Sequence, residues 1–259
     1  MSVVFLLATT TRASAQTMWT PPYRTNQIAL EWVVPTLGDG DFRISSGAAY
    51  LDLSVGVTRR VEVIAELPFA YRSVGSPRST TMVGDPYVGI GLSALSVPLL
   101  LEIGARVPVT ADDAALAMGR LANVGRSSAF RSEEQNASAL LSWRYLLRRH
   151  LSVRLRGGVV AVRRPEGAVN PGRRARLRYS GQLWYEKGPI IAGLTATGRV
   201  TPSAPGSFRA KSVHHVMGTV MVDVGPAQPG LLIGAPIDQD LWEEAPLLIG
   251  LTLSASYRR

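Results

Sequence analysis

The chain has 259 residues, 46% of them apolar, with 28 Lys and Arg against 19 Asp and Glu and no cysteine. A mean hydropathy of +0.11 excludes a helical multispan protein, and the missing cysteines exclude disulfides, thiolate metal sites and a cysteine nucleophile. The formal charge of +9 comes mainly from arginines spread over many strands and turns; without a zinc-finger spacing, an aromatic RNA-binding strand or a recognition helix, it does not point to nucleic acid.

The first residues, Val3-Val-Phe-Leu-Leu-Ala8, form a short apolar core, and Ala13-Ser-Ala15 before Gln16 has the small-x-small form of a signal-peptidase site. Residues 1–15 are therefore expected to be a signal peptide, although no Lys or Arg precedes the apolar run. A start lost upstream, or a buried N-terminal strand instead of a signal, are the readings left by that defect. Nothing further along divides the chain, so residues 16–259 are expected to form one domain. No later run reaches the roughly 18 apolar residues of a transmembrane helix.

Strands follow one another from there. Gln27–Pro35 sets Ile28, Leu30, Trp32 and Val34 against Glu31. Ser46–Thr58 sets Leu51, Leu53 and Val55 against Tyr50 and Asp52. Arg60–Arg72 is the clearest: Val61, Val63, Ala65, Leu67, Phe69 and Tyr71 share one face, Glu62, Ile64, Glu66 and Pro68 the other. Gly84–Ala94 opposes Val88, Ile90 and Leu92 to Asp85 and Tyr87, and Val97–Val109 opposes Leu101 and Ile103 to Glu102 and Arg106. Thr110–Asn136 is the longest connection, with an Ala/Leu-rich stretch at Asp112–Leu121 that reads as a short helix.

Ala137–Leu146 then carries Arg144, Leu151–Val162 carries Arg154 and Arg156, Arg174–Tyr185 carries Arg176 and Arg178, and Ile190–Val200 carries Arg199, each opposite an apolar face. Ser212–Val224, Leu231–Ile237 and Pro246–Tyr257 complete the set. Twelve strands result, within about two given the reliability of such boundaries.

Connections sort by parity: short turns follow even-numbered strands and loops of about eight or more residues follow odd ones, as in outer-membrane barrels. Soluble sandwiches have no reason to sort loops in this way. Only helices and closed barrels satisfy every backbone group in lipid. The expected fold is therefore all-β, a closed antiparallel transmembrane β-barrel of up-and-down topology in the bacterial outer membrane, with outer-membrane lipid as its surroundings. A soluble or periplasmic all-β binding protein is the competing class.

Four stretches carry a family resemblance: Val55–Phe69, Val83-Gly-Asp-Pro-Tyr-Val-Gly-Ile-Gly91, Leu99–Thr110 and the last strand. They resemble the bacterial outer-membrane barrel family of transporters named for the "MetA-pathway of phenol degradation". Thr110-Ala-Asp112 departs from the family's Pro-Thr-Gly-Asp-like turn, and Tyr257 stands two residues before the end, whereas such barrels finish on the aromatic that the assembly machinery reads. The resemblance implies a pore or transporter for small solutes, including hydrophobic or aromatic ones, with that machinery as a partner.

Inward charges divide by sign. Strands one to five offer Glu31, Asp52, Glu62, Glu66, Asp85 and Glu102, with Arg106 the exception; strands six to nine offer Arg144, Arg154, Arg156, Arg176, Arg178 and Arg199. These thirteen are the candidate pore-lining residues. They either create a transverse field in an open lumen or pair and fill it. Asp112–Leu121 is expected to be an ordinary loop helix rather than a constriction. His214-His215 invites an enzyme reading on lipid, but no Gly-x-Ser-x-Gly elbow accompanies it. No catalytic residue, metal site or cofactor is expected; a lipid-modifying enzyme and a non-conducting structural barrel remain the alternatives.

Overall fold

The computed structural model describes residues 26–36, 46–72, 80–94, 97–110, 114–132, 134–166, 172–238, 242–243 and 245–256. The expected signal peptide and Tyr257 lie outside these residues. Thirteen strands are described: β1 (Gln27–Pro35), β2 (Ser46–Gly56), β3 (Val61–Arg72), β4 (Thr80–Val83), β5 (Tyr87–Ser93), β6 (Leu99–Arg106), β7 (Gln135–Arg148), β8 (Leu151–Arg164), β9 (Gly172–Lys187), β10 (Ile190–Val200), β11 (Ser212–Val222), β12 (Ala227–Pro236) and β13 (Leu248–Ser256). Each pairs antiparallel with its neighbour, and β1 pairs with β13 from Gln27↔Ser256 to Pro35↔Leu248. The β1–β13 and β2–β3 pairings close the sheet, and among the described residues only the short β4 pairs on one side alone.

Twelve of these strands make the barrel wall, and β4 is the addition. It pairs with the upper end of β3 (Phe69–Arg72), while β5 pairs with the lower part (Val61–Glu66). The two are one wall position interrupted at Gly84-Asp85-Pro86. Pro86 has no N–H to give the ladder, and the Asp85 N–H goes to the Ala129 carbonyl at 2.6 Å. In the sequence Ser73–Met82 reads as a polar loop; its last three residues together with Val83 form this strand, which at four residues is too short to show alternation. β12 begins at Ala227, earlier than the expected Leu231; Pro229 and Gly230 read as a turn but pair with Leu253 and Thr252 of β13.

Alternation decides which face meets lipid. Leu101, Ile103, Leu141, Leu155, Leu194, Val220, Leu251 and Leu253 stand exposed on the outside, while Glu31, Asp52, Glu66, Glu102 and Arg154 are buried inside. The apolar exterior and the closed sheet place the barrel in the bacterial outer membrane. Short turns at 57–60, 149–150, 188–189 and 223–226 lie at the end assigned to the periplasm, and the long connections at the external end. A charge on the belt is expensive: Leu141→Arg is expected to lower stability by about 2–4 kcal/mol, and Ile190→Arg, on the outer face beside the short 188–189 turn, by about 0–1. Urea unfolding of the barrel in lipid vesicles measures both.

Candidate functional site

Eight strands make an interior that side chains alone can fill, and twelve leave room to spare. Here the β6–β7 connection occupies that room. It contains α1 (Ala114–Ala122) and a 3₁₀ helix (Val124–Phe130). Ala115, Leu116, Ala122, Ala129 and Phe130 are wholly buried against inward-facing Val33, Ala48, Tyr50, Ala70, Met217, Leu232 and Leu248. The expectation of an ordinary loop helix is thus corrected: α1 has an apolar face, and the barrel's inner wall offers a complementary one. At Gly119 contact is so close that a Cβ would sit 2.7 Å from the Phe130 ring and 2.9 Å from the Ala70 methyl. Phe130 in turn meets the Tyr50 ring edge-on at 5.8 Å.

Asn123 starts the 3₁₀ helix. Its extended backbone ends α1, and its side-chain oxygen accepts the Arg126 N–H at 3.1 Å. The cap presents three successive residues to opposite walls. Arg126 reaches β1–β3: Nη1 lies 3.1 Å from Glu31 Oε2 and 3.5 Å from Asp52 Oδ2, Nε lies 3.4 Å from Glu66 Oε2, and the guanidinium covers the Tyr50 ring at 4.4 Å. Its neighbours turn the other way. The Gly125 carbonyl accepts from Arg178 Nη2 at 2.6 Å, and the Ser127 hydroxyl accepts from Arg199 Nη1.

Register explains why these contacts are needed. Asp52 is directly opposite Glu66, and Arg178 directly opposite Arg199; like charges facing each other across a strand pair are destabilising. The plug places a cation at the first pair and neutral acceptors at the second. Arg126 is only 1% exposed. Burial by itself would lower its pKa, but Asp52, Glu31 and Glu66 together push it above the ordinary value, so it stays charged.

Both ends of the plug meet at the Gly84-Asp85-Pro86 break. Asp85 Oδ1 accepts from the Val109 N–H at 2.8 Å, the Thr110 N–H at 3.0 Å and the Thr110 hydroxyl at 3.0 Å, where the segment leaves β6. Its amide holds the Ala129 carbonyl, where the segment returns. Gly84 is required there, because a Cβ would stand 2.5 Å from that carbonyl oxygen and 2.8 Å from the Phe130 ring. The far end is fixed by Glu134, which pairs with Arg176, with Arg164 at 3.2 Å and with Arg131 at 3.8 Å.

The remaining candidates sort by height. Glu66 also accepts from Arg106, whose other terminal nitrogen donates to the Asp85 carbonyl at 2.8 Å. Glu102 takes Arg156 at 2.6 Å and the Tyr87 hydroxyl at 2.7 Å. Glu62 and Arg154 are buried nearer the periplasmic end, where Arg154 reaches the Ser142 hydroxyl at 3.3 Å; Arg144 is half-buried on the same side. All thirteen face inward or, for Asp85, into the clasp. Beneath Arg126 a cavity lined by Glu66, Glu102, Arg156 and Arg178 keeps about 20 Å³, room for about one water. Among the described residues, the β6–β7 segment and these ion pairs occupy the lumen at this level.

Arg126, Glu134 and the clasp role of Asp85 are not evident from strand alternation. One signal was available: six inward acids on the first five strands with one inward arginine call for a cation from elsewhere, and Arg120, Arg126 and Arg131 lie in the connection between them. The histidines do not form one site. His215 faces the lumen, whereas His214 lies at the outer rim between Tyr179 and Asp238. Among the described residues no group of His, Asp and Glu is placed to hold a metal ion.

Glu134 gives the anchorage a pH dependence. Burial raises its pKa, but hydrogen bonding and charge from Arg176, with Arg131 and Arg164, outweigh this and hold it below the ordinary 4.5. A depressed carboxylate contributes in full above its ordinary value and is lost as pH falls through the lowered one. Acidification below 4.5 is therefore expected to loosen this end of the plug, and Glu134→Gln to remove that pH response, as read by hydrogen exchange over residues 124–132.

No protein-family model matches the chain, and no curated protein matches it in sequence. Solved structures do match in fold. An outer-membrane channel from Pseudomonas putida F1 superposes with a TM-score of 0.57 at 14% identity, covering 95% of this chain and all of that one. The NanC porin gives 0.55 at 11% identity, covering 90% of this chain and 100% of its own. The KdgM porin gives 0.53 at 11%, covering 90% and 99%. At these identities the likeness is one of architecture: a porin-like outer-membrane barrel.

Proposed function

We propose that the chain is an outer-membrane channel for small polar solutes, anions above all, and that the β6–β7 segment is its gate. The observation that carries this reading is the bridge made by Gly125, Arg126 and Ser127. It spans the lumen by polar contacts to two oppositely charged walls, which water or a charged solute can replace one for one. A segment meant only to fill space would be held by apolar packing throughout. The similar folds include channels, which supports passage of a solute as the barrel's task.

Six inward arginines on β7–β10 favour anions. When the gate leaves, Glu66 and Glu102 keep their partners Arg106 and Arg156. Glu31 and Asp52 lose Arg126 on one wall, and Arg178 and Arg199 lose the Gly125 and Ser127 acceptors on the other, where the arginines of β7–β10 outnumber those two acids. The KdgM porin has also been solved in complex with oligogalacturonate, an acidic oligosaccharide. The resemblance to the family named for phenol degradation implies hydrophobic or aromatic solutes; the charged lumen supports polar ones instead. Flux into proteoliposomes tests the reading: carboxylated sugars should enter faster than neutral sugars or amines of equal size, and Arg178→Ala/Arg199→Ala should reduce that preference. Faster entry of the amines would overturn it.

A further inference from the structure

The outer face of the β8–β9 hairpin is apolar until its last external positions. Register places Leu151 opposite Tyr185, Val159 opposite Leu177, Ala161 opposite Ala175 and then Arg163 opposite Arg173. All share the lipid-facing side by alternation. From Leu151 to Ala161 the strand rises about 33 Å at roughly 3.3 Å per residue. A tilt of about 35–45° leaves roughly 25 Å of this along the barrel axis, the height of the apolar band of such a barrel. Arg163 and Arg173 therefore stand one step beyond the hydrocarbon, level with the external headgroups.

Two arginines directly opposite each other oppose strand pairing. Both are exposed, and among the described residues neither has an acidic partner. Gln135 of β7, on the same outer face, is paired with Arg163 and adds an amide beside them. Two guanidiniums and an amide at headgroup depth match a phosphate, whose oxygens take forked hydrogen bonds from arginine. We propose that Arg163 and Arg173, with Gln135 beside them, hold a phosphate of an outer-leaflet lipid headgroup. The site fixes the hairpin against the external surface of the membrane, and it rests on the barrel and its apolar belt, independently of the channel reading.

The full chain in neutral detergent is titrated with diphosphorylated lipid A, with the same lipid stripped of its phosphates and with inorganic phosphate, while thermal unfolding is followed. The phosphorylated lipid is expected to raise the unfolding temperature, and the other two additions to leave it nearly unchanged. Arg163→Gln/Arg173→Gln should weaken the apparent affinity at least about tenfold, given the strength of charge-assisted hydrogen bonds. Without lipid the double variant should be as stable as the unmodified protein or slightly more so, because the like charges are gone. Arg59→Gln/Arg60→Gln, on an opposite-end turn, removes the same charge and should keep the response. An equal loss in both double variants, an equal response to the dephosphorylated lipid, or the same shift with inorganic phosphate would overturn the proposal.

Discussion

Arg126→Ala is expected to hold the lumen open most of the time. The substitution leaves Glu31, Asp52 and Glu66 facing one another without the guanidinium between them. Removing one partner from a buried ion pair costs about 3–5 kcal/mol. That charge set regains water only if the plug moves out, so the cost falls on the closed state alone. At about 1.4 kcal/mol per tenfold, the closed-to-open ratio should drop at least about a hundredfold in single-channel records. Arg126→Lys keeps a charge but loses the fork that serves three carboxylates at once, and it should lie between the two. An open probability unchanged in Arg126→Ala would mean that apolar packing of α1 and Phe130 alone holds the segment.

Asp85→Ala is expected to free the root of the same segment while sparing the barrel. One carboxylate oxygen accepts from two backbone N–H groups and a hydroxyl, and hydrogen bonds to charged groups contribute about 1.5–3 kcal/mol each. Three on one atom are not additive, so a total of about 2–4 kcal/mol is expected, again borne by the closed state. Hydrogen exchange at the Val109 and Thr110 amides should quicken by roughly a hundredfold, with the exchange of β7–β9 unchanged. Asp85→Asn retains a carbonyl acceptor and should show a smaller increase.

Much of the wall was legible in the sequence because a strand's alternation has a period of two and lipid tolerates no error in it. The in/out assignment of Glu62 against Val63, or of Arg154 against Leu155, follows from that period alone. Loop parity supplied closure in the same way. The interior was not legible, since alternation says which residues point inward but not what meets them. Arg126 lies in a 3₁₀ turn of mixed composition, and its three carboxylates come from strands separated by tens of residues. Inward Val33, Ala48, Ala70, Leu232 and Leu248 were apolar where a water-filled lumen needs polar side chains; in retrospect they marked the plug's seat. Gly84-Asp85-Pro86 looked like a strand start because its purpose is to interrupt one.

The proposed gate, the segment between β6 and β7, shuts an otherwise continuous lumen. Its most direct measurement is single-channel recording of the unmodified barrel beside a variant whose residues 111–132 are replaced by a short Gly/Ser linker. The unmodified barrel should be closed with brief openings, and the variant should conduct steadily with a preference for anions. Equal conductance from both, or a correctly folded variant that conducts nothing, would contradict it.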